Sequence, residues 1–147
     1  MQGCALRHYA GGREGENVIT SDAYNYINIL NKAASASWTK NGIIANNIAN
    51  VDTPNFKRSD LNFENVLKEA MTQTGTDNLD KKVGNIGLSS LKPSVYTDYQ
   101  ELSYRYDGNN VDIDTENAYL ADNQIKYYAY LNAINQEFDR LKMVLQR

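Results

Sequence analysis

NNIANVDTPNFKRSD, residues 46–60, is the stretch on which the reading of this chain turns. Asparagine is a mediocre helix former, yet Asn46, Asn47 and Asn50 crowd about one and a half turns just ahead of Pro54. Pro54 cannot continue a helix, and Thr53 before it is pushed toward extended geometry. With Pro54 at position i+1 of a type I or type II turn, Asn55 takes position i+2. A type II turn there needs φ > 0, which asparagine tolerates better than any residue except glycine. The segment therefore ends a helix and sends the chain away in a fixed direction. Its three amides offer more donors and acceptors than one helix satisfies internally, which suits either solvent or a surface where neighbouring copies meet.

Upstream of this stop, Ile27, Leu30, Ala34, Ser37, Asn41, Ile44, Ile48 and Val51 recur in alternating steps of three and four. This is a heptad seam, predicting a helix from Ser21 to about Val51 with Thr20, Ser21 or Asp22 as its cap. Toward the other end, Leu120, Gln124, Tyr127, Leu131, Ile134, Phe138, Leu141 and Leu145 repeat the pattern. Asp114 or Thr115 is the expected cap there. Glu116 in the first turn and Arg140, Lys142 and Arg147 near the end match the helix dipole. Each helix would be about 45 Å long at 1.5 Å per residue. Small and polar seam positions (Ala34, Ser37, Asn41, Gln124) fix register but weaken an isolated pair. The expected fold is mainly α: two long heptad helices as a coiled-coil-like pair or bundle, with a short amphipathic helix and a small irregular or β segment between them.

Within that central segment, Phe63, Val66, Leu67, Ala70 and Met71 place one apolar face on a short helix over residues 61–72. Residues 72–93 are rich in Gly, Thr, Asn and Ser without a period and read as a loop. Val95, Tyr96, Tyr99, Tyr104 and Tyr106 favour a hairpin or a pair of extended segments between Pro93 and Asp107-Gly108. DGNNVDIDTE, residues 107–116, invites a calcium reading, but a calcium loop needs glycine sixth and Gly108 comes second. A turn followed by an N-cap accounts for the same residues. The expected organisation is a leader or tail over 1–17, an N-terminal helix in 18–53, a central segment over 54–113 and a C-terminal helix over 114–147.

Composition removes most chemistry. The chain of 147 residues carries a formal charge of −3, and its basic doublets, Lys57-Arg58 and Lys81-Lys82, are too sparse for a phosphate-binding stripe, so nucleic acid is not an expected partner. No run of 18 apolar residues offers a membrane-spanning helix, and no apolar core of a cleavable secretory signal stands near the N-terminus. The single Cys4 and single His8 leave the rest of the chain without thiol or imidazole, which removes most nucleophile, zinc and general-base schemes; no metal, cofactor, small-molecule substrate or catalysis is expected. MQGCALRHYAGGREGEN, residues 1–17, differs in texture from the Asn-, Ile- and Tyr-rich chain after it. It reads as a translated leader ahead of a start at Val18, with a native tail as the alternative.

ANNIANVDTPNFKR closely resembles the N-terminal signature of the bacterial flagellar rod, hook and hook-associated axial family, with Asn55 where that family usually has glycine. DGNNVDIDTENAYLADNQIKYYA, residues 107–129, resembles the C-terminal signature of the proximal-rod branch of that family, the basal-body rod protein B type. The resemblance implies a structural subunit with no cofactor, exported through the flagellar type III apparatus without a cleaved signal and located in the basal body outside the cytoplasmic membrane. It implies polymerisation through the terminal helices to transmit torque, with itself, other rod proteins and the membrane-ring and export-gate junction as partners. The assembly motif would be Asn46, Asn47, Ile48, Asn50, Thr53, Pro54, Asn55 and Phe56. The helix seam would be Ile27, Leu30, Ile44, Ile48, Leu131, Ile134, Phe138 and Leu141. Tyrosines 96, 99, 104, 106, 127 and 128 are expected interface residues, combining apolar area with a hydroxyl. The competing expectation is a soluble helical adaptor or export chaperone.

Overall fold

The computed structural model describes residues 22–75, 78–98 and 106–146. The expected leader over 1–17, the cap positions Thr20 and Ser21, and Tyr99 and Tyr104 lie outside them. The order is α1 (Asp22–Ala49), β1 (Ser59–Asn62), α2 (Glu64–Gln73), α3 (Leu79–Asn85), β2 (Ser94–Thr97) and α4 (Ile113–Leu145). The long helices α1 and α4 pack on one another, and the short elements fill one flank of α1.

The two long helices run antiparallel. Ser37 of α1 meets Asn123 of α4, while Asn47, further along α1, meets Glu116, nearer the start of α4. Ser37 Oγ donates to Asn123 Oδ1 at 3.0 Å, and Asn123 Nδ2 donates to the Ser37 carbonyl at 2.8 Å and to Asn41 Oδ1 at 2.9 Å. Ser37 and Asn123 are both buried, and their donors and acceptors find each other in one register only. The inward position on α4 thus falls on Asn123, one residue before Gln124, which is exposed. The cap of α4 is Asp112, not Asp114 or Thr115: its carboxylate accepts from the Asp114 N–H at 3.0 Å and from the Thr115 hydroxyl at 2.9 Å. Those bonds to Thr115 and to the backbone hold the Asp112 carboxyl below its ordinary range.

A second face of α1 carries the core. Ala33 and Ala36 are buried against Leu61 and Phe63, and against Ile86 and Leu91 from the chain before β2. These alanines are small enough to let the sheet and the α3 region approach closely. Val66, Leu67, Ala70 and Met71 of α2 pack against the same cluster, as the amphipathic spacing predicts, but α2 begins at Glu64 and residues 59–62 form a strand instead.

The chain between residues 72 and 93 is more ordered than its composition predicts. Asn78 caps α3 by accepting from the Asp80 N–H at 2.9 Å, Val83 is buried, and the Tyr26 hydroxyl donates to Asp80 at 2.5 Å from α1. That bond raises the Tyr26 hydroxyl above its ordinary pKa. β2 pairs antiparallel with β1, Leu61 opposite Val95, so Val95 and Tyr96 find a partner in the strand at Ser59–Asn62; residues 99–105, on which the expected hairpin also draws, lie outside the described residues. Four residues are too short to show alternation, which is why the sequence pattern does not reveal β1.

Leu91 is 1% exposed at the centre of this cluster. Leu91→Ala should lower unfolding free energy by about 2–5 kcal/mol, read from the urea midpoint. An unchanged midpoint would mean that the central segment is not part of the cooperative fold.

Candidate functional site

The two singled-out sequence stretches meet. Residues 46–60 leave the end of α1, residues 107–116 lead into α4, and they interlock side by side.

After α1 the backbone tightens, the Asn50 N–H bonding to the Asn46 and Asn47 carbonyls and the Thr53 N–H to the Asn50 carbonyl at 3.0 Å. The Phe56 N–H then closes Thr53-Pro54-Asn55-Phe56 onto the Thr53 carbonyl, with Asn55 at φ 60°. Among the described residues Asn55 is the one non-glycine with positive φ, which selects the left-handed alternative of the two turns that Pro54 allows. Its N–H donates to the Asp107 carbonyl at 2.9 Å. Across from it Gly108 sits at φ 76°, where an added Cβ would lie 2.7 Å from Asn55 Oδ1. The two left-handed residues pack against each other, and the positive φ favours glycine at 108, where a Cβ would also push the Asn55 side chain aside.

Asn109 is the clasp. It is 1% exposed, and its side-chain N–H groups are shared among the carbonyls of Asn50, Val51 and Thr53 at 2.9–3.0 Å. Its Oδ1 accepts from the Val111 N–H at 2.7 Å. One side chain from the second stretch thus adds donors to three carbonyls that follow α1, two of which also accept from the Thr53 and Phe56 N–H groups. Next to it, Asn110 Oδ1 accepts from the Arg58 N–H at 2.8 Å, and Asn110 Nδ2 donates to the Asp98 carbonyl at 2.9 Å. Lys57 Nζ donates to the Gly108 carbonyl at 2.8 Å.

Deeper in the joint lies Glu116, 1% exposed. Arg58 Nε donates to its Oε1 at 2.9 Å and Asn47 Nδ2 to its Oε2 at 3.1 Å. Asp98 lies 3.6 Å from one Arg58 terminal nitrogen and Asp60 3.8 Å from the other, and the guanidinium sits 5.7 Å from the centre of the Tyr119 ring. Burial alone would lower the Arg58 pKa, but the bond and charge of Glu116, with Asp60 and Asp98, carry it above its ordinary value. Asn47 itself is fully buried: its Oδ1 accepts from the Ser59 N–H at 3.0 Å and its Nδ2 also donates to the Ser59 carbonyl at 2.8 Å. The amide mimics a neighbouring strand and docks β1 on α1.

The asparagines at the end of α1 therefore have separate tasks. Asn47 does not face a neighbouring copy; it is an internal joint between helix, strand and Glu116. Asn50 is half-buried and bonds within its own turn, to the Asn46 carbonyl at 2.8 Å and with Thr53 at 3.2 Å. Asn46, Thr53, Pro54 and Asn55 are exposed, and Ile48 and Phe56 are half-buried. In the seam, Ile27 and Ile44 are buried and Leu30, Leu131, Ile134 and Leu141 half-buried, while Phe138 is 51% exposed. No sequence pattern singles out Arg58, Asn109 and Asn110 as a site, and the position of Glu116 suggests only a partner of the helix dipole. Asp60, Asp98 and Glu116 surround a guanidinium, and among the described residues no group of three or more His, Cys, Asp or Glu is placed to hold a metal ion.

A family model described as flagella basal body rod protein matches residues 27–57, most of α1 and the turn after it. The chain is 36% identical over 116 residues to the flagellar basal body rod protein FlgB of Bacillus subtilis, covering 79% of this chain and 89% of the relative. It belongs to the flagellar basal body rod protein family. The corresponding protein of Borrelia hermsii is 37% identical over 133 residues, covering 84% and 93%, and that of Escherichia coli K12 is 34% identical over 116, covering 71% and 80%. Family membership gives the chain a structural role in the flagellar basal body rod. Among the described residues no helix is long and apolar enough to cross a membrane.

Asn109→Ala removes the amide hydrogens that three carbonyls share and should cost about 1–3 kcal/mol of stability. Gly108→Ala, forced to φ > 0, should cost about 1–2 kcal/mol. Both are read by urea unfolding, and native midpoints for both variants would refute the clasp.

Proposed function

We propose that this chain is a subunit of the proximal rod, exported by the flagellar type III apparatus without a cleaved signal and polymerised through α1 and α4 to transmit torque. The uneven burial of α4 supports this reading. The fully buried residues of α4 are Glu116 and Asn123, both polar, whereas its apolar stripe Leu120, Tyr127, Leu131, Ile134 and Leu141 is only half-buried, with Phe138 and Leu145 exposed. Polar contacts fix the pairing of α1 and α4 inside one chain, and the apolar stripe waits for helices of neighbouring subunits, where burial is worth about 25 cal/mol per Å². Heterologous contacts of that kind build an open filament. A chain whose terminal helices gain much of their burial only at a growing end suits passage through a narrow export channel before assembly.

The partners on this reading are further copies, other rod proteins, and the junction of membrane ring and export gate. Asn46, Thr53, Pro54 and Asn55 remain the exposed part of the proposed assembly motif, and Tyr96, Tyr106 and Tyr128 are exposed aromatic contacts. The chain performs no catalysis in this role.

Deleting the gene in its source bacterium should abolish hooks and swimming, and complementation should restore both and return the chain to purified basal bodies. A deletion strain with normal hooks would refute the reading. So would recovery of the chain only as a discrete complex with an unassembled rod protein, the behaviour of an export chaperone.

A further inference from the structure

A groove runs between α1 and α4 on the side of α1 opposite the core. At 100° per residue, Ala33 and Ala36 face the sheet while Ala34, Ser35 and Trp38 face away. Those three residues with Tyr127, Leu131 and Ile134 of α4 line a volume of about 410 Å³, and none of the residues lining it is charged. Trp38 stands 67% exposed at its edge, its ring 6.0 Å from that of Tyr127.

The last turns of α4 have the complementary chemistry. Phe138, Leu141 and Leu145 continue the apolar stripe at i, i+3 and i+7, and Met143, Val144 and Leu145 are 65, 75 and 85% exposed. Among the described residues this is the longest consecutive run of exposed large apolar side chains. The groove is centred near Leu131 and the tip near Met143 of the same helix, about a dozen residues or ~18 Å apart at 1.5 Å per residue. A straight helix cannot fold its own end back over that distance, so no copy can fill its own groove with its own tip.

We propose that the tip of α4 from a second copy enters the Trp38–Tyr127 groove. This rests on the reading of the chain as a polymerising rod subunit and names the surface it uses. The groove offers no charge to pair with a charged ligand, and its aromatic and aliphatic side chains suit an apolar stripe borne on a helix, which this chain itself provides. The small exposed Ser35 lets the incoming helix approach closely over the buried Ala34, Trp38 and Tyr127 wall it in, and Leu141 and Leu145 supply the inserted side chains. Each copy offers one tip and one groove at different heights, so the contact is head-to-tail and does not close. Nearly parallel partners would be displaced by about 18 Å along the helix axis, the tip-to-groove separation.

The test uses the full chain in the deletion strain, with Cys4→Ser as background and Ser35→Cys and Leu145→Cys combined in one chain; both introduced positions are exposed. Isolated basal bodies are treated with a short thiol-to-thiol crosslinker. A ladder of linked chains, with mass spectrometry joining residue 35 to residue 145, is the expected result. Basal bodies that contain the chain but give no link, or only links of 35 to 35 and 145 to 145, overturn the groove proposal and leave the rod reading intact. A background chain carrying Cys4→Ser alone that never enters basal bodies overturns the rod reading, and the groove with it. Leu145→Asp provides the second arm: its circular dichroism should match the native chain while its incorporation falls at least tenfold, and native incorporation would overturn the proposal.

Discussion

A carboxylate that is 1% exposed must be held by partners or give up its charge, and Glu116 is held from the opposite half of the chain by two of them. Arg58 reaches it from the strand side of the turn after α1, and Asn47 reaches it from the last turn of α1 itself. Because Asn47 also grips Ser59 through both its amide nitrogen and its oxygen, one small set of bonds locates α1, β1 and α4 relative to one another. Asn109 adds a second bolt, tying the backbone after α1 to the approach to α4. Everything else depends on this joint: the antiparallel register, the direction of the chain after Pro54, and the placement of the two-stranded sheet over Ala33 and Ala36.

A polar joint has a consequence for assembly. Apolar seams are permissive about register, since a leucine packs nearly as well one turn along, whereas buried amides and an ion pair are satisfied in one arrangement only. The chain fixes the α1–α4 pair with Ser37, Asn41, Asn47, Glu116 and Asn123, and leaves the larger apolar side chains of α4 half-covered or exposed. On the proposed reading of polymerisation through α1 and α4, internal geometry and external adhesion fall to different residues of the same two helices, and subunits adhere over apolar area without loosening their internal alignment.

Much of the fold is legible in the sequence. The heptad steps locate α1 and α4, the amphipathic spacing locates α2, and Pro54 followed by Asn55 marks a turn whose second residue tolerates the left-handed conformation, found at φ 60°. What is illegible has a common cause. β1 and β2 are four residues each, and their pairing depends on a contact across the whole of α2 and α3 that no local period records. α3 is seven residues long and persists because Val83 and Ile86 are buried, which composition cannot show. The joint is half-visible: both stretches stand out, but Asn47 looks like a surface amide and Glu116 like a partner of the helix dipole. Burial decides between a surface amide and an internal one, and burial follows from the tertiary meeting of residues 47 and 116.

Arg58 and Glu116 act as one unit on which the helix pair depends. A double-mutant cycle of Arg58→Met and Glu116→Gln, read by urea unfolding, tests this most directly. Arg58→Met should cost about 3–5 kcal/mol, because Glu116 stays buried without its cation, and Glu116→Gln about 1–3 kcal/mol, because Arg58 is part-exposed and keeps Asp60 and Asp98 beside it. The double variant should cost less than the sum of the two, with a coupling of about 1–3 kcal/mol. Strictly additive losses, or single losses near zero, would contradict the account.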